Sequence, residues 1–316
     1  MSKALSLTPN KNRRRRRDIL FVVILLAYPV LQFVGTWLFI NVGALLMSFQ
    51  RELPSGEMQW TFDHFIKAVK AIFDSSNKSG IPGLNDTVVA ILNSLGYGVI
   101  TIFISLPLSL LLAYFLQKKM PFANVLRVIF FLPNIIPIVA LTMAYNMPMQ
   151  PNGYLYTILD KMGLAWDIYG KWPSSQVMVY VYCIWAGLGY NVVLLSGAIG
   201  RIPKELFESA QLDGAGYFTE FTKITIPLIW PTIVTLIVLG MTNVLTLYLQ
   251  PYLLVGDRGY SQVDTIAMQI FNSVGTYDPI AYSESAAKGL LFSVIWAPIV
   301  LLVRNRLSKK FSDVDF

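Results

Sequence analysis

Residues 19–50 contain no charged side chain. A helix crosses the hydrocarbon layer of a membrane in about 20 apolar residues. Any open chain conformation there would leave backbone groups without partners. This run therefore reads as a membrane-spanning helix. It follows Lys11, Asn12, five arginines at Arg13–Arg17, and Asp18. A cleaved secretion signal has an apolar core of about 7–15 residues, and this run is longer. The reading is an uncleaved first span with its basic end inside the cell, because Lys and Arg collect on that side.

Four more long uncharged stretches and one shorter one follow. They predict spans at 87–117, from about Val128 to Met147, at 176–199, at 228–254, and from about Ala281 to residue 303. Pro107 lies in the second, and Pro133 and Pro137 in the third. Pro148, Pro151, Asn152 and Gly153 mark an external turn after the third. The sixth contains Glu284 and Lys288, one helical turn apart, which suits an i,i+4 pair near the outer interface. The fold class expected is an all-α integral membrane protein with six transmembrane helices. A basic inside tail (1–18) precedes the membrane domain (19–303), and a short inside tail (304–316) follows it. Most of the 25 basic residues then fall inside: Lys3, Lys11, Arg13–Arg17, Lys118, Lys119, Arg127, Arg201, Lys204, Lys223, Arg304, Arg306, Lys309 and Lys310. The external segment before the second span has Phe62, Phe65, Ile66, Val69, Ile72 and Phe73 at helical spacing. His64, Lys67 and Lys70 lie on other faces. It suits either a helix in the membrane surface or one packed on neighbouring loops.

Composition narrows the function. The chain is 55% hydrophobic and 14% charged, against about 25% charged in a soluble domain. The +7 net charge sits mostly beside apolar runs, which argues for membrane orientation and against a nucleic-acid partner. Cys183 is the one cysteine and His64 the one histidine. That excludes an internal disulfide and a Cys-based metal site, and no spacing around His64 supports zinc or a Ser-His-Asp triad.

The informative segment is the inside loop between spans four and five, Ile202 to Gly216. It predicts a short helix with Pro203 in the first turn, where proline is tolerated. Glu205 and Glu208 come early, where the helix dipole favours negative charge, and Gly214 stands past the end. Leu206, Phe207 and Ala210 form an apolar face. A helix too short to span needs something to pack against, such as another protein. The chain has no G-x-x-x-x-G-K-[ST] phosphate loop, so ATP-driven work requires a separate ATPase.

These residues resemble a known family. Permeases of binding-protein-dependent ABC importers carry E-A-A, three residues, G, nine residues, I-x-L-P. This chain has Glu208-Ser209-Ala210, Gly214 and Ile224-Thr225-Ile226-Pro227 at that spacing, with Ser209 for alanine and Ile226 for leucine. Ile202-Pro203-Lys204-Glu205, Asp213-Gly214-Ala215, Trp185-Ala186-Gly187-Leu188-Gly189, and Phe131-Leu132-Pro133 with Pro137 are similar to the carbohydrate-uptake, maltose-type branch. The resemblance covers roughly 87–303. It implies a first permease subunit, not itself an enzyme, in a bacterial cell membrane with both termini cytoplasmic. It further implies a second permease, two ATPase subunits that hold ATP and Mg, and an extracytoplasmic solute-binding protein. This chain would hold no cofactor. The loop would be the coupling helix docked on an ATPase, with Glu208 in a charged contact, Gly214 making the turn, and Ser209, Ala210 and Asp213 in the same contact segment.

Polar groups inside a span often mark function. Thr242, Asn243 and Thr246 share a face with Leu239, and Gly187 and Tyr190 are three apart. By the resemblance, sugar contacts come from these two helices, with Tyr190 stacking on a ring and Asn243 bonding hydroxyls. Helix packing suits Tyr190 and Asn243 equally, and suits Gly187, Thr242 and Thr246 better than sugar contact. The function expected is half of a translocation path for a sugar or oligosaccharide. Alternatives are a permease for another solute (glycerol phosphate, a polyamine, an amino acid) or an ion-coupled carrier. The carrier would need charges buried at mid-membrane, and spans one to five show none clearly central. A membrane-embedded enzyme would need a convergent catalytic cluster, which the sequence does not display.

Overall fold

Proline placement shapes the bundle. The computed structural model describes residues 11–52, 57–75, 79–118, 122–150, 152–163, 172–255, 261–275 and 278–310. Lys3, Lys119, Pro151 and the stretches 1–10 and 311–316 lie outside them. Helix α1 (Arg15–Ser48) shows its apolar side chains outward along almost its whole length. Its Phe39–Ser48 end packs on the last helix. A two-stranded hairpin follows, β1 (Gln50–Glu52) antiparallel to β2 (Met58–Trp60), with Gln50 opposite Trp60. Then come α2 (Asp63–Phe73) and α3 (Asp86–Gln117). The Asn85 side chain caps α3 by accepting from the Val88 N–H at 2.8 Å, satisfying one of the free donors of the first turn.

Pro107 has no N–H to donate and crowds the carbonyl four residues back. The turn before it, Thr101–Ser105, is π-helical, and this wider turn makes room. The same device recurs at Phe221–Thr225 ahead of Pro227.

The third span is not one helix. It consists of α4 (Ala123–Ile135) and α5 (Ile138–Asn146), and the chain turns by 104° between Ala123–Ile135 and Ile138–Lys161. Ile136 is extended, as a residue before proline is pushed out of the helical region. The turn expected at Pro148 forms at Met147–Met149, and Gly153 precedes α6 (Tyr154–Lys161). Helix α7 (Ser174–Ile199) is unbroken and leads to the short α8 (Lys204–Leu212). The fifth span is also bent, with α9 (Tyr217–Leu228) and α10 (Trp230–Thr246) meeting at 74°. It stops at Thr246 and does not run to 254. Leu247 is extended, and its carbonyl accepts from the Thr265 hydroxyl at 2.6 Å. A separate α11 (Leu249–Val255) precedes α12 (Ile266–Val274) and α13 (Pro279–Ser308). Among the described residues, four helices are long and apolar enough to cross a membrane, or up to six spans if each bent pair counts as one. The architecture is an all-helical membrane fold with one small hairpin that the sequence reading did not foresee.

Glu284 and Lys288 do not pair with each other. Glu284 Oε1 lies 2.7 Å from Lys67 Nζ on α2, and Lys288 Nζ donates to Gln269 Oε1 on α12 at 2.5 Å. Tertiary partners on two other helices outcompete the local spacing. Helix α2 rests on α13 through this ion pair and the buried His64 and Ala68. His64 Nε2 is 3.1 Å from the Gln50 carbonyl. Phe62, Ile66, Val69 and Phe73 face outward, while Phe65 and Ile72 are half-buried and Ile72 packs on a core cluster, so the apolar stripe is only partly the packed face.

Among the described residues three apolar clusters form, one of them Ala90, Ile266 and Phe292 where α3, α12 and α13 meet, and the other two lie toward opposite ends of the bundle. Leu106, Leu110, Tyr114, Leu195, Ile199, Ile233 and Leu236 fill the end near α8. Tyr97, Leu141, Val179, Tyr182, Leu254 and Val255 fill the other.

Candidate functional site

Helix α8 ends as its sequence requires. The Gly214 N–H donates to the Gln211 carbonyl at 3.0 Å, and the Ala215 N–H to the Ala210 carbonyl at 2.9 Å. These two bonds are the Schellman motif, which needs a left-handed residue between them. Gly214 supplies it at φ +78°, a conformation that costs an L-residue roughly 1–2 kcal/mol. The spacing of Ala210 and Gly214 is thus the spacing of a helix stop.

The expected apolar face of α8 divides. Phe207 and Ala210 turn inward, while Leu206 and Leu212 face out, Leu212 being 89% exposed. Glu205, Ser209, Asp213 and Gly214 are exposed as well, and Glu208, also exposed, lies with Phe207 on the side of a cleft behind α8. This cleft of about 500 Å³ is lined among others by Gln117, Lys118, Phe207, Glu208, Gln211 and Glu220.

A buried ionic knot underlies this helix. Glu220, at the start of α9, is 1% exposed. Its carboxylate pairs with Lys118 Nζ, at the foot of α3, and accepts from the Tyr114 hydroxyl at 3.1 Å. Lys118 Nζ also stands 5.2 Å from the centre of the Phe207 ring on α8 and 5.6 Å from that of Tyr217, distances at which a cation is drawn to a ring face. The sequence reading missed this group: Lys118 served only as an orientation signal, and Glu220 carried no local motif.

Between the two end clusters lies a cavity of about 480 Å³, within the range of small-molecule sites. Halves of α3, α4, α5, α7 and α10 line it. Of the five residues singled out in these spans, the structure brings Gly187, Tyr190 and Asn243 to its wall. Thr242 and Thr246 lie off it, their hydroxyls donating to the Leu239 and Thr242 carbonyls of their own helix at 2.7 and 3.2 Å. Successive residues of a helix are rotated by about 100°, so Asn243 faces in while Thr242 faces out. Gly187 is not a close-packing glycine, since the nearest atom to a Cβ there would be Ser105 Oγ at 3.7 Å. That role belongs to Gly189, where a Cβ would meet the Phe130 carbonyl oxygen at 2.0 Å.

Other wall residues were not anticipated. Thr101 and Ser105 come from the π turn of α3, Asn134 from between Pro133 and Pro137, Asn191 from beside Tyr190, and Gln250 from beyond the break after α10. Asn191 was findable, since it is four residues from Gly187; Gln250 had no sequence signal. Tyr190, Asn191, Asn243 and Gln250 make no side-chain hydrogen bond among the described residues. Among the described residues the wall carries no acidic or basic side chain. It offers amides, hydroxyls and a 48% exposed tyrosine ring to a solute.

Residues 105–305 match the family "Binding-protein-dependent transport system inner membrane component". The chain is 28% identical over 230 residues to the probable ABC transporter permease protein YurN of Bacillus subtilis, covering 70% of this chain and 76% of that one. It is 23% identical over 292 residues to the arabinooligosaccharides transport system permease protein AraP of the same species, covering 89% and 86%. The fold is similar to a chain of the bacterial alginate ABC transporter solved in complex with an alginate pentasaccharide-bound periplasmic protein. The TM-score is 0.77 at 23% identity, over 96% of this chain and 99% of that one. With the family match over most of its length, the chain belongs to the inner membrane components of binding-protein-dependent transport systems, and is a transporter subunit, not an enzyme.

Proposed function

We propose that the chain is one of two permease subunits of an ATP-driven ABC importer, forming half of the path for a sugar or oligosaccharide. The observation that carries this is the joining of two features in one fold. An exposed helix with the Glu208-Ser209-Ala210…Gly214 pattern sits at one end. An uncharged cavity with free amides and a tyrosine face lies among the helices above it. Sugars present hydroxyls and flat apolar ring faces, which such a wall matches. The relative named for arabinooligosaccharides supports the same solute class.

In this reading α8 is the coupling helix, with Glu208, Ser209, Ala210, Asp213 and Gly214 against an ATPase subunit that binds ATP and Mg. Two ATPase copies, a second permease and an extracytoplasmic binding protein complete the assembly. Both termini lie in the cytoplasm. Closure of the ATPases displaces α8 as a rigid body, and the bent spans carry the motion to the cavity. Tyr190 and Asn243 contact the solute, while Gly187 leaves room for it.

The test is purification of the tagged chain in mild detergent, followed by mass spectrometry and ATPase assay. A second permease and a phosphate-loop ATPase should co-purify, and binding protein loaded with oligosaccharide should stimulate hydrolysis. A chain that emerges alone, with uptake abolished by ion uncouplers, would establish an ion-coupled carrier instead.

A further inference from the structure

We infer that Lys118 and Glu220 are positioning residues for transport: their ion pair locks the coupling helix, the foot of α3 and the foot of α9 into one moving unit. The inference rests on the importer reading above.

Three observations converge. First, Glu220 is among the most deeply buried side chains of the molecule. A carboxylate withdrawn from water is costly unless paired and hydrogen-bonded, and here it has both a Lys118 pair and a Tyr114 hydroxyl. Second, the knot joins two stretches distant in sequence, the end of α3 and the α8–α9 stretch about a hundred residues later. Tyr114 and Lys118 end α3, Phe207 lies on α8, and Tyr217 and Glu220 begin α9. The Tyr114 hydroxyl is also 3.2 Å from the Tyr217 carbonyl. Third, the same helices continue to the cavity. Helix α3 supplies Thr101 and Ser105, and the span begun by α9 supplies Leu236, Leu239, Gly240 and Asn243. Displacement of α8 therefore reaches the cavity through α3 and α9 together. Without the charge pair, Lys118 is no longer held beside the Phe207 ring, and α8 keeps only its apolar packing on the bundle end, which slides more easily than a buried ion pair.

The test uses the complete transporter in lipid vesicles. Cys183, the chain's single cysteine, lines the cavity and reports on its access. Its rate of modification by a small maleimide is followed by mass spectrometry, with and without ATP plus vanadate. Wild type should show an ATP-dependent change in rate. In Glu220→Gln and Lys118→Met that change should shrink about tenfold, within the range of ordinary coupling energies, while ATP hydrolysis continues. The exchanged pair, Lys118→Glu with Glu220→Lys, should restore it. A merely structural role would lower labelling response and hydrolysis in proportion to folded complex. A wild-type response in the single variants overturns the inference. If the single variants do not assemble, a folded exchanged pair without ATP response overturns it equally. Absence of any ATP effect in wild type would instead remove the importer reading itself.

Discussion

The cavity and the knot beneath α8 handle polar groups in opposite ways. In the knot, the Glu220 carboxylate is satisfied inside the protein, by Lys118 and Tyr114. In the cavity, Tyr190, Asn191, Asn243 and Gln250 keep their hydrogen-bonding capacity open. These side chains are exposed or half-buried in the cavity, so water or solute completes their bonding there. Satisfied groups hold a geometry; open ones await a ligand.

Substitutions can break or sharpen that contrast. The largest effect is expected at the exposed surface of α8. Glu208→Lys or Gly214→Pro should abolish uptake while the chain stays in the membrane at normal amounts, as measured by solute accumulation and immunoblot. Normal uptake in both would remove the coupling role of α8. Next is Gly189→Ala. Its Cβ has no room against the Phe130 carbonyl, so α4 and α7 must separate at a cost of about 1–3 kcal/mol. Thermal unfolding in detergent should shift downward, whereas Gly187→Ala should unfold as wild type. Equal shifts would show that the two glycines pack alike. Within the cavity, Tyr190→Ala and Asn243→Ala should weaken solute affinity by about tenfold each, the equivalent of roughly 1.4 kcal/mol, with unfolding unchanged. Transport kinetics check this, and an unchanged KM would move the solute path elsewhere. The smallest effect belongs to Thr242→Val. Its hydroxyl serves only its own helix, so uptake should match wild type. A loss as large as that of Asn243→Ala would place the solute on the other face of α10.

Part of the site was legible in the sequence. The helix stop at Gly214 followed from residue types alone, because a Schellman turn is local. Tyr190 and Asn243 were reachable because a polar group in an apolar span is conspicuous. Thr242 and Thr246 suited helix packing better from the sequence, and their hydroxyls bond within their own helix, since a hydroxyl in a membrane helix can satisfy itself on the preceding turn. Glu220 was not conspicuous, since it lies in a polar loop where charge is ordinary. Only folding buries it.

The spans themselves were set by the sequence. Crossing a membrane demands a long apolar run, and such runs can be read one residue at a time. The breaks needed more. Pro137 and Pro107 look alike in sequence, yet one ends a helix at a sharp corner and the other is absorbed by a π turn. Packing against neighbouring helices decides between those outcomes. Glu284 and Lys288 show the same limit. Their spacing permits a pair within α13, but each finds a nearer partner on a different helix. Local chemistry determined which segments enter the membrane and where α8 stops. Tertiary structure alone decided which polar groups meet, because those meetings join residues far apart in the chain, and no local pattern records them.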